Sequence, residues 1–431
     1  MLRISVKRLA AAAVSVFVSA WAFAQTDGTY VGYSPYSVYG VGNLHQGGTA
    51  WSRGMGGVGI ATRNKRFINT ENPASLTARD SLSFMSDFTV SSRLALFNEG
   101  DKTGFNTTFN LESFVISFPM WKNSAFIAGL SPFSDVGYNI TDYQVDYYTN
   151  YRTFISKGNG GLYQVYAGAA YTLWNHLSLG VQGSYIFGNI NKKATTDNSD
   201  SSFMDFASGD SLQVNNFSLK AGLQYEQPIS TRSFLTLGAT YRMSTPFGGH
   251  RIHFLQNGSF SRTREEHMIK DDKLYLGEEI GAGLSFRNSD VWSAEINYVR
   301  SDWSNSNFSS VHGFSNVGES VTFTSGIGQS IKAGFEWTPN RNDIRYFLKR
   351  CTYRAGAYYD SSYYMVNGSH VDAIGVTFGM TLPVFRWYNG LSIGVDLGRR
   401  GLSGNQVKET YAGFSLGMNM FDIWFKKPRY E

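Results

Sequence analysis

The sequence predicts an all-β chain: a transmembrane antiparallel β-barrel of about 14 strands, its lumen plugged by an N-terminal hatch. Three observations predict it. The chain opens on an export signal. Beyond about residue 80, apolar and polar residues alternate with period two over long runs. The composition also fits: of 431 residues 46 are Gly and only 9 Pro, aromatic residues make up 16%, and charged residues a further 16%. An ordinary soluble domain is roughly 25% charged. The absence of long apolar runs excludes a bundle of membrane-spanning helices.

Residues 1–24 read as a secretory signal peptide. Arg3, Lys7 and Arg8 form its positive start, Leu9 to Ala20 its apolar stretch, and Ala22-Phe23-Ala24 its cleavage site. About a dozen apolar residues fall short of the roughly 30 Å core of a bilayer. Losing those three cations from 38 leaves a chain close to neutrality against 33 acidic residues. That balance is no footprint for nucleic acid. The single cysteine, Cys351, excludes an internal disulfide. Stability must come from packing or from a closed hydrogen-bonded sheet.

The alternation is clearest in five stretches. Leu177, Leu179, Val181, Tyr185 and Phe187 oppose Ser178, Gly180, Gln182 and Ser184. Phe217, Leu219, Ala221, Leu223 and Tyr225 oppose Ser218, Lys220, Gly222, Gln224 and Glu226. The same holds for Trp292 to Tyr298, Ile331 to Trp337 and Leu391 to Leu397. Such a pattern fits a soluble sandwich or a barrel in lipid. The barrel is favoured because the runs exceed the five or six residues common in sandwiches. The polar face is also rich in Gly, Ser and carboxylates, and Trp174, Tyr241, Trp292, Trp337 and Tyr359 stand where interfacial aromatics belong. Strands are expected near 81–98, 107–118, 124–142, 160–174, 176–192, 211–226, 233–255, 274–287, 291–304, 326–338, 351–362, 370–384, 390–402 and 407–421. Short turns at 174–176, 288–291 and 385–390 mark the periplasmic side, longer polar stretches the outside, and both barrel ends are then periplasmic.

Residues 25–79 do not alternate. They carry Gly54, Gly56, Gly57 and Gly59 among small apolar residues, then Asn72-Pro73-Ala74 just before the first strand. Val58, Ile60, Phe67, Ile68 and Leu76 argue for packing inside a lumen over a loose leader. Pro73 fixes its own φ and biases Asn72 toward extended backbone, suiting an abrupt turn from lumen to wall. The expected organisation is a signal peptide over 1–24, a hatch over 25–79 and a barrel over 80–431.

Within the third strand, Pro132 lacks the N–H that a ladder needs. It marks a bulge or inward kink, and Gly129 and Gly137 flank it with freedom for unusual backbone angles. Lys220, Glu295, Lys332, Glu336 and Asp396 are expected to face the lumen and to pair there, as glue for the hatch.

Two catalytic patterns are set aside. Gly54, Gly56 and Gly59 fit G-x-G-x-x-G but lack the preceding strand and following helix of a dinucleotide site. Gly413-Phe414-Ser415-Leu416-Gly417 fits G-x-S-x-G but lies inside an alternating strand instead of at a strand-to-helix elbow. Ser369 and His370 adjoin without a third partner, and the seven His residues show no metal spacing. No catalytic residue, metal or cofactor is expected.

The run Gly54 to Ala61 followed by Asn72-Pro73-Ala74-Ser75-Leu76 resembles the hatch of the outer-membrane long-chain fatty acid transporter family, the FadL/TodX type. Ser75 stands where that family commonly has Gly. Gly129-Leu130-Ser131-Pro132-Phe133 is also similar, as are Trp292, Asn297-Tyr298, Trp303 and the run Tyr353 to Asp360. The resemblance implies a 14-stranded barrel in the outer membrane of a Gram-negative cell. It implies passive uptake of a hydrophobic small molecule, such as a long-chain fatty acid, and lateral exit at the kinked third strand. The chain is expected to act as a monomer, with the lipid bilayer and the apolar substrate as partners. The alternative is a structural or secretion-accessory barrel that scaffolds partner proteins, since one fold serves either role. An open porin is disfavoured, because the 25–79 segment would occlude it and fourteen strands fall short of the 16–18 that leave an aqueous channel.

Overall fold

The computed structural model describes residues 32–80, 83–145, 151–198, 204–257, 261–310, 322–384, 389–402 and 407–423. The signal peptide expected over 1–24 lies outside them. Fourteen strands build the wall: β1 (Ser83–Glu99), β2 (Lys102–Pro119), β3 (Ser124–Val145), β4 (Tyr151–Leu173), β5 (Leu177–Asn198), β6 (Phe206–Pro228), β7 (Ser233–Arg242), β8 (Glu278–Asn288), β9 (Trp292–Asp302), β10 (Ile327–Trp337), β11 (Thr352–Val366), β12 (Ser369–Pro383), β13 (Gly390–Arg400) and β14 (Lys408–Ile423). Each pairs antiparallel with the next. β14 pairs with β1 from Lys408 opposite Asn98 to Ile423 opposite Ser83, which closes the barrel.

Burial along the strands is inverted relative to a soluble protein. On β5, Ser178 and Gln182 are buried while Leu179 and Val181 are exposed. On β6, Ser218 and Gln224 are buried while Phe217, Leu219 and Leu223 are exposed. In water that arrangement would waste about 25 cal/mol per Å² of apolar surface. It is favourable only where the outer face meets hydrocarbon. Aromatic rings gather at one rim: Trp292 lies 5.2 Å from Phe286 and 6.2 Å from Phe335, and Trp337 lies 6.0 Å from Tyr353. Tight turns join the strands at that rim, here called the turn end. Trp174 (φ 47°), Asn175 (φ 64°) and Ser289 (φ 51°) take the left-handed backbone that such turns require. Among the described residues no helix is long and apolar enough to cross a membrane.

The other rim, the loop end, departs from expectation in several strands. The run anticipated over 233–255 breaks at Arg242. Pro246 cannot donate to a ladder, and the chain resumes as a separate hairpin, Gly248–Asn257 with Ser261–Met268. That hairpin pairs with the distal half of β6, Phe206 to Asn215. β3 to β6 run well past the boundaries set by their apolar alternation. Strands of 22 and 23 residues rise about 3.3 Å per residue, whereas crossing hydrocarbon takes only roughly 9–11 residues. The excess continues beyond the bilayer as a sheet, where outward residues no longer need to be apolar.

A charge on the outer face tests the orientation of the wall. Ile296 is exposed, and Leu284 and Ala333 flank it in register. Ile296→Arg is expected to lower barrel stability by about 2–4 kcal/mol in urea unfolding from lipid vesicles. An effect near zero would place this face away from hydrocarbon.

Candidate functional site

Residues 32–80 lie inside the barrel against inward-facing wall residues. Ser34 caps a 3₁₀ turn, Pro35–Val38; a short helical turn follows at Ala50–Arg53 and a second 3₁₀ turn at Pro73–Ala78. The glycines between them are dictated by distance. Gly54 approaches Gly379 so closely that an added Cβ would stand 2.9 Å from its Cα. Gly56 and Gly57 both have φ +74°, and a Cβ on Gly56 would meet the carbonyl oxygen of Ala333 at 2.8 Å. The Gly56 N–H donates to Thr377 Oγ1 at 2.7 Å. Gly59 packs on Asn69 and Glu71. Wall and segment therefore touch backbone to backbone, with Gly334 and Gly356 making room from the outer side.

Asn72 is fully buried and organises the next turn. Its Oδ1 accepts from the Ala74 N–H at 3.0 Å, and its Nδ2 donates to the carbonyl oxygens of Ile60 (2.7 Å), Leu223 (3.2 Å) and Ala239 (3.3 Å). Pro73 and Ala74 press on Gly180 and Gly222 of β5 and β6. Ser75 donates its hydroxyl to the Asn72 carbonyl at 2.7 Å, so its side chain closes the turn.

Two of the luminal carboxylates meet this segment, and the other luminal charges pair along the wall or line the cavity. Glu295 accepts from the Ala61 N–H at 2.8 Å and from the Thr62 hydroxyl. Glu336 accepts from Trp51 Nε1 at 2.7 Å and Arg354 Nε at 2.8 Å. Asp396 accepts from the Tyr358 hydroxyl at 2.8 Å, and Lys220 approaches Glu279 at 4.0 Å. Lys332 lines the cavity described below. Among the described residues no group of three or more His, Cys, Asp or Glu side chains is arranged to hold a metal ion.

The wall is interrupted beside this segment. β2 pairs with β3 only from Phe114 opposite Leu130 to Pro119 opposite Ala125. Past Leu130 the two strands separate, and the β3–β4 register shifts between Pro132 and Ser134. The N-terminal segment takes the place of β2 on the freed edge. Asn43 and Leu44 pair with Asp135 and Ser134, the His45 N–H donates to the Phe133 carbonyl at 3.0 Å, and the Ser34 N–H donates to the Gly137 carbonyl at 2.9 Å. The Gly137 N–H donates to Ser37 Oγ at 3.0 Å. Gly129 lies in the paired stretch, where an added Cβ would strike the Tyr166 ring at 2.6 Å. Neither Gly129 nor Gly137 has positive φ, so unusual angles explain neither; close approach to Tyr166 explains Gly129, and nothing in the structure explains Gly137. The pairing by residues 43–45 carried no periodic signal in the sequence.

A cavity of about 300 Å³ adjoins the interruption, bounded by His45, Gln46, Ser131, Pro132, Lys332 and Asp360 among others. His45 sits between two carboxylates, Nε2 at 2.7 Å from Asp135 and Nδ1 at 3.4 Å from Glu112, and Arg53 also pairs with Glu112. Toward the loop end the lumen is filled by an apolar cluster in which Tyr36, Val38 and Val41 meet Phe133, Trp303 and Tyr363. The Tyr363 hydroxyl donates to the Gly42 carbonyl at 2.9 Å.

Close packing makes the segment sensitive at Gly56. Gly56→Val places a β-branched residue in left-handed backbone, at about 1–2 kcal/mol before any clash with Ala333. Trypsin should then cleave at Arg53, Arg63 or Lys65 several-fold faster than in the parent, while the barrel stays heat-modifiable on gels. Equal cleavage rates would mean the segment is not held by this contact.

Known proteins share this architecture. The toluene transporter TodX of Pseudomonas putida superposes with a TM-score of 0.55 at 12% identity, covering 89% of this chain and 100% of the other. The Ralstonia pickettii toluene transporter TbuX gives 0.55 at 14% identity, covering 87% and 98%. A Pseudomonas aeruginosa FadL homologue gives 0.51 at 11% identity, covering 88% and 99%. At such identities the likeness is one of fold. No curated protein matches the sequence. The BamG family model matches residues 5–431, nearly the whole sequence, and the chain belongs to the BamG family.

Proposed function

We propose that this protein is a passive outer-membrane channel for hydrophobic small molecules, long-chain fatty acids or similar. In this reading the turn end faces the periplasm, residues 25–79 act as a hatch, and the substrate leaves sideways between β2 and β3. The observation that carries it is the loss of β2–β3 pairing beyond Leu130, beside a luminal cavity. A ladder interrupted within a membrane-spanning wall leaves backbone groups that lipid cannot satisfy, so such a break persists where it serves a purpose. An apolar molecule that leaves there enters lipid directly and avoids crossing water. The low-identity neighbours named as toluene transporters add support by analogy of fold.

A second reading is a scaffold for partner proteins. It is favoured by the sheet that β3 to β6 and the 248–268 hairpin carry beyond the bilayer, whose last strand, Ser261–Met268, pairs among the described residues with Gly248–Asn257 and leaves its other edge open. An unpaired edge is a template for adding a strand from another chain.

Two measurements test the channel. Leu44 and Ser134 are register partners, and antiparallel partners have the Cα separation that a disulfide needs. In Leu44→Cys/Ser134→Cys, oxidation should cut uptake of an apolar probe into vesicles about tenfold or more, and reductant should restore it. Undiminished flux in the oxidised protein would remove the lateral route, and absence of uptake by the parent protein would favour the scaffold. Deleting residues 26–70 should leave a folded barrel with raised conductance in planar bilayers. Unchanged conductance would remove the hatch.

A further inference from the structure

Of the six connections at the turn end, four are tight, 120–123, 174–176, 229–232 and 289–291, and a fifth, 384–389, is short in sequence. The sixth, 338–351 between β10 and β11, is far longer and has a composition of its own. It carries Arg341, Arg345, Lys349 and Arg350 against one acid, Asp343. It also presents Ile344, 99% exposed, with Leu348 at 61% and Tyr346 at 48%.

That acid is already committed within the loop. Asp343 Oδ1 accepts from the N–H groups of Tyr346 at 2.6 Å and Arg345 at 2.9 Å, and Oδ2 lies 3.8 Å from Lys349 Nζ. The Tyr346 N–H first, and then the others, hold the carboxyl below its usual range. The guanidinium groups are left uncompensated inside the loop. Of the four cations, only Lys349 is paired with an acid among the described residues.

The position of the loop indicates its counterpart. The short helical turn Phe347–Arg350 is tied to the outer wall, where the Tyr353 hydroxyl donates to the Leu348 carbonyl at 3.0 Å. Tyr353 packs at 6.0 Å from Trp337, in the aromatic rim. The loop thus leans on the side of the barrel at headgroup depth instead of hanging free below it. Lys349 lies over the Tyr346 ring at 4.7 Å and Arg350 over Phe347 at 5.2 Å, an arrangement that brings cations and apolar surface to one level. Cations beside exposed apolar side chains at that depth match an anionic interface, with acyl chains for Ile344 and Leu348 and phosphates for the guanidinium groups.

We propose that residues 338–351 form an interfacial anchor that binds acidic phospholipid headgroups in the leaflet at the turn end. The anchor fixes the depth of this side of the barrel and is independent of what the lumen carries. An environment-sensitive dye on Ile344→Cys reports the position, since Cys351 is buried. In nanodiscs of phosphatidylethanolamine with phosphatidylglycerol, a quencher at shallow lipid depth should quench the dye, and iodide in water should not. In Arg341→Gln/Arg345→Gln/Arg350→Gln, the ratio of phosphatidylglycerol to phosphatidylethanolamine that co-purifies should fall roughly tenfold. Ile344→Ser/Leu348→Ser keeps the cations and should retain most of that ratio, which separates headgroup binding from a folding defect. Quenching by iodide alone, or an unchanged lipid ratio in the triple variant with normal heat-modifiability, would overturn the proposal. Protection of the dye by an added acidic peptide, without lipid quenching, would also overturn it and assign the loop to a protein partner.

Discussion

A β-ladder that crosses hydrocarbon must pair every backbone group, because lipid offers none in return. The rest of this molecule follows from how that constraint is met at one place. The other seams of the barrel are antiparallel ladders, three of them with a shift in register, while the seam between β2 and β3 stops at Leu130. The edge that opens on β3 is taken up from inside by Ser34, Ser37 and residues 43–45. One segment therefore fills the lumen and completes the wall. The exchange takes place at Pro132, which cannot donate to a ladder and where the β3–β4 register shifts.

The same segment resolves the electrostatics of the lumen. A carboxylate buried without a partner is costly, and removing one member of a buried pair costs several kcal/mol. Glu295 and Glu336 find donors in Ala61, Thr62 and Trp51, and Glu112 in His45 and Arg53. Close approach by the glycine run is what brings those donors within reach. Interior polarity, hatch-like packing and glycine content are thus one arrangement.

Much of this was legible in the sequence, and the limits have physical causes. The wall strands could be read because lipid imposes strict alternation, so Leu177 to Phe187 and Phe217 to Tyr225 announce both strand and face. Beyond the bilayer that requirement lapses. Residues 151–159 of β4, 193–198 of β5, 206–210 of β6 and the hairpin arm Ser261–Met268 therefore read as polar loop although they are sheet. Pro132 gave notice of a break in pairing, but nothing periodic marks Asn43 and Leu44 as its partner. The glycine run and Asn72-Pro73-Ala74 stood out as special backbone, while the roles of Gly379 and Gly222 as the opposing surfaces became visible only in three dimensions.

The seating of the segment also carries a consequence for assembly. Gly56 rests on Thr377, Gly42 on Tyr363 and Ser34 on Glu409, partners more than three hundred residues away. Those partners belong to the last four wall strands. This segment precedes the wall in the chain, yet it cannot complete these contacts until the last wall strands are in place. Until then its glycines are unrestrained and the β3 edge is bare, so an incomplete barrel exposes both a sticky edge and the strand that fits it. Docking of the segment thus depends on strands at both ends of the wall, and a chain in which it fails to dock leaves the same edge of β3 exposed.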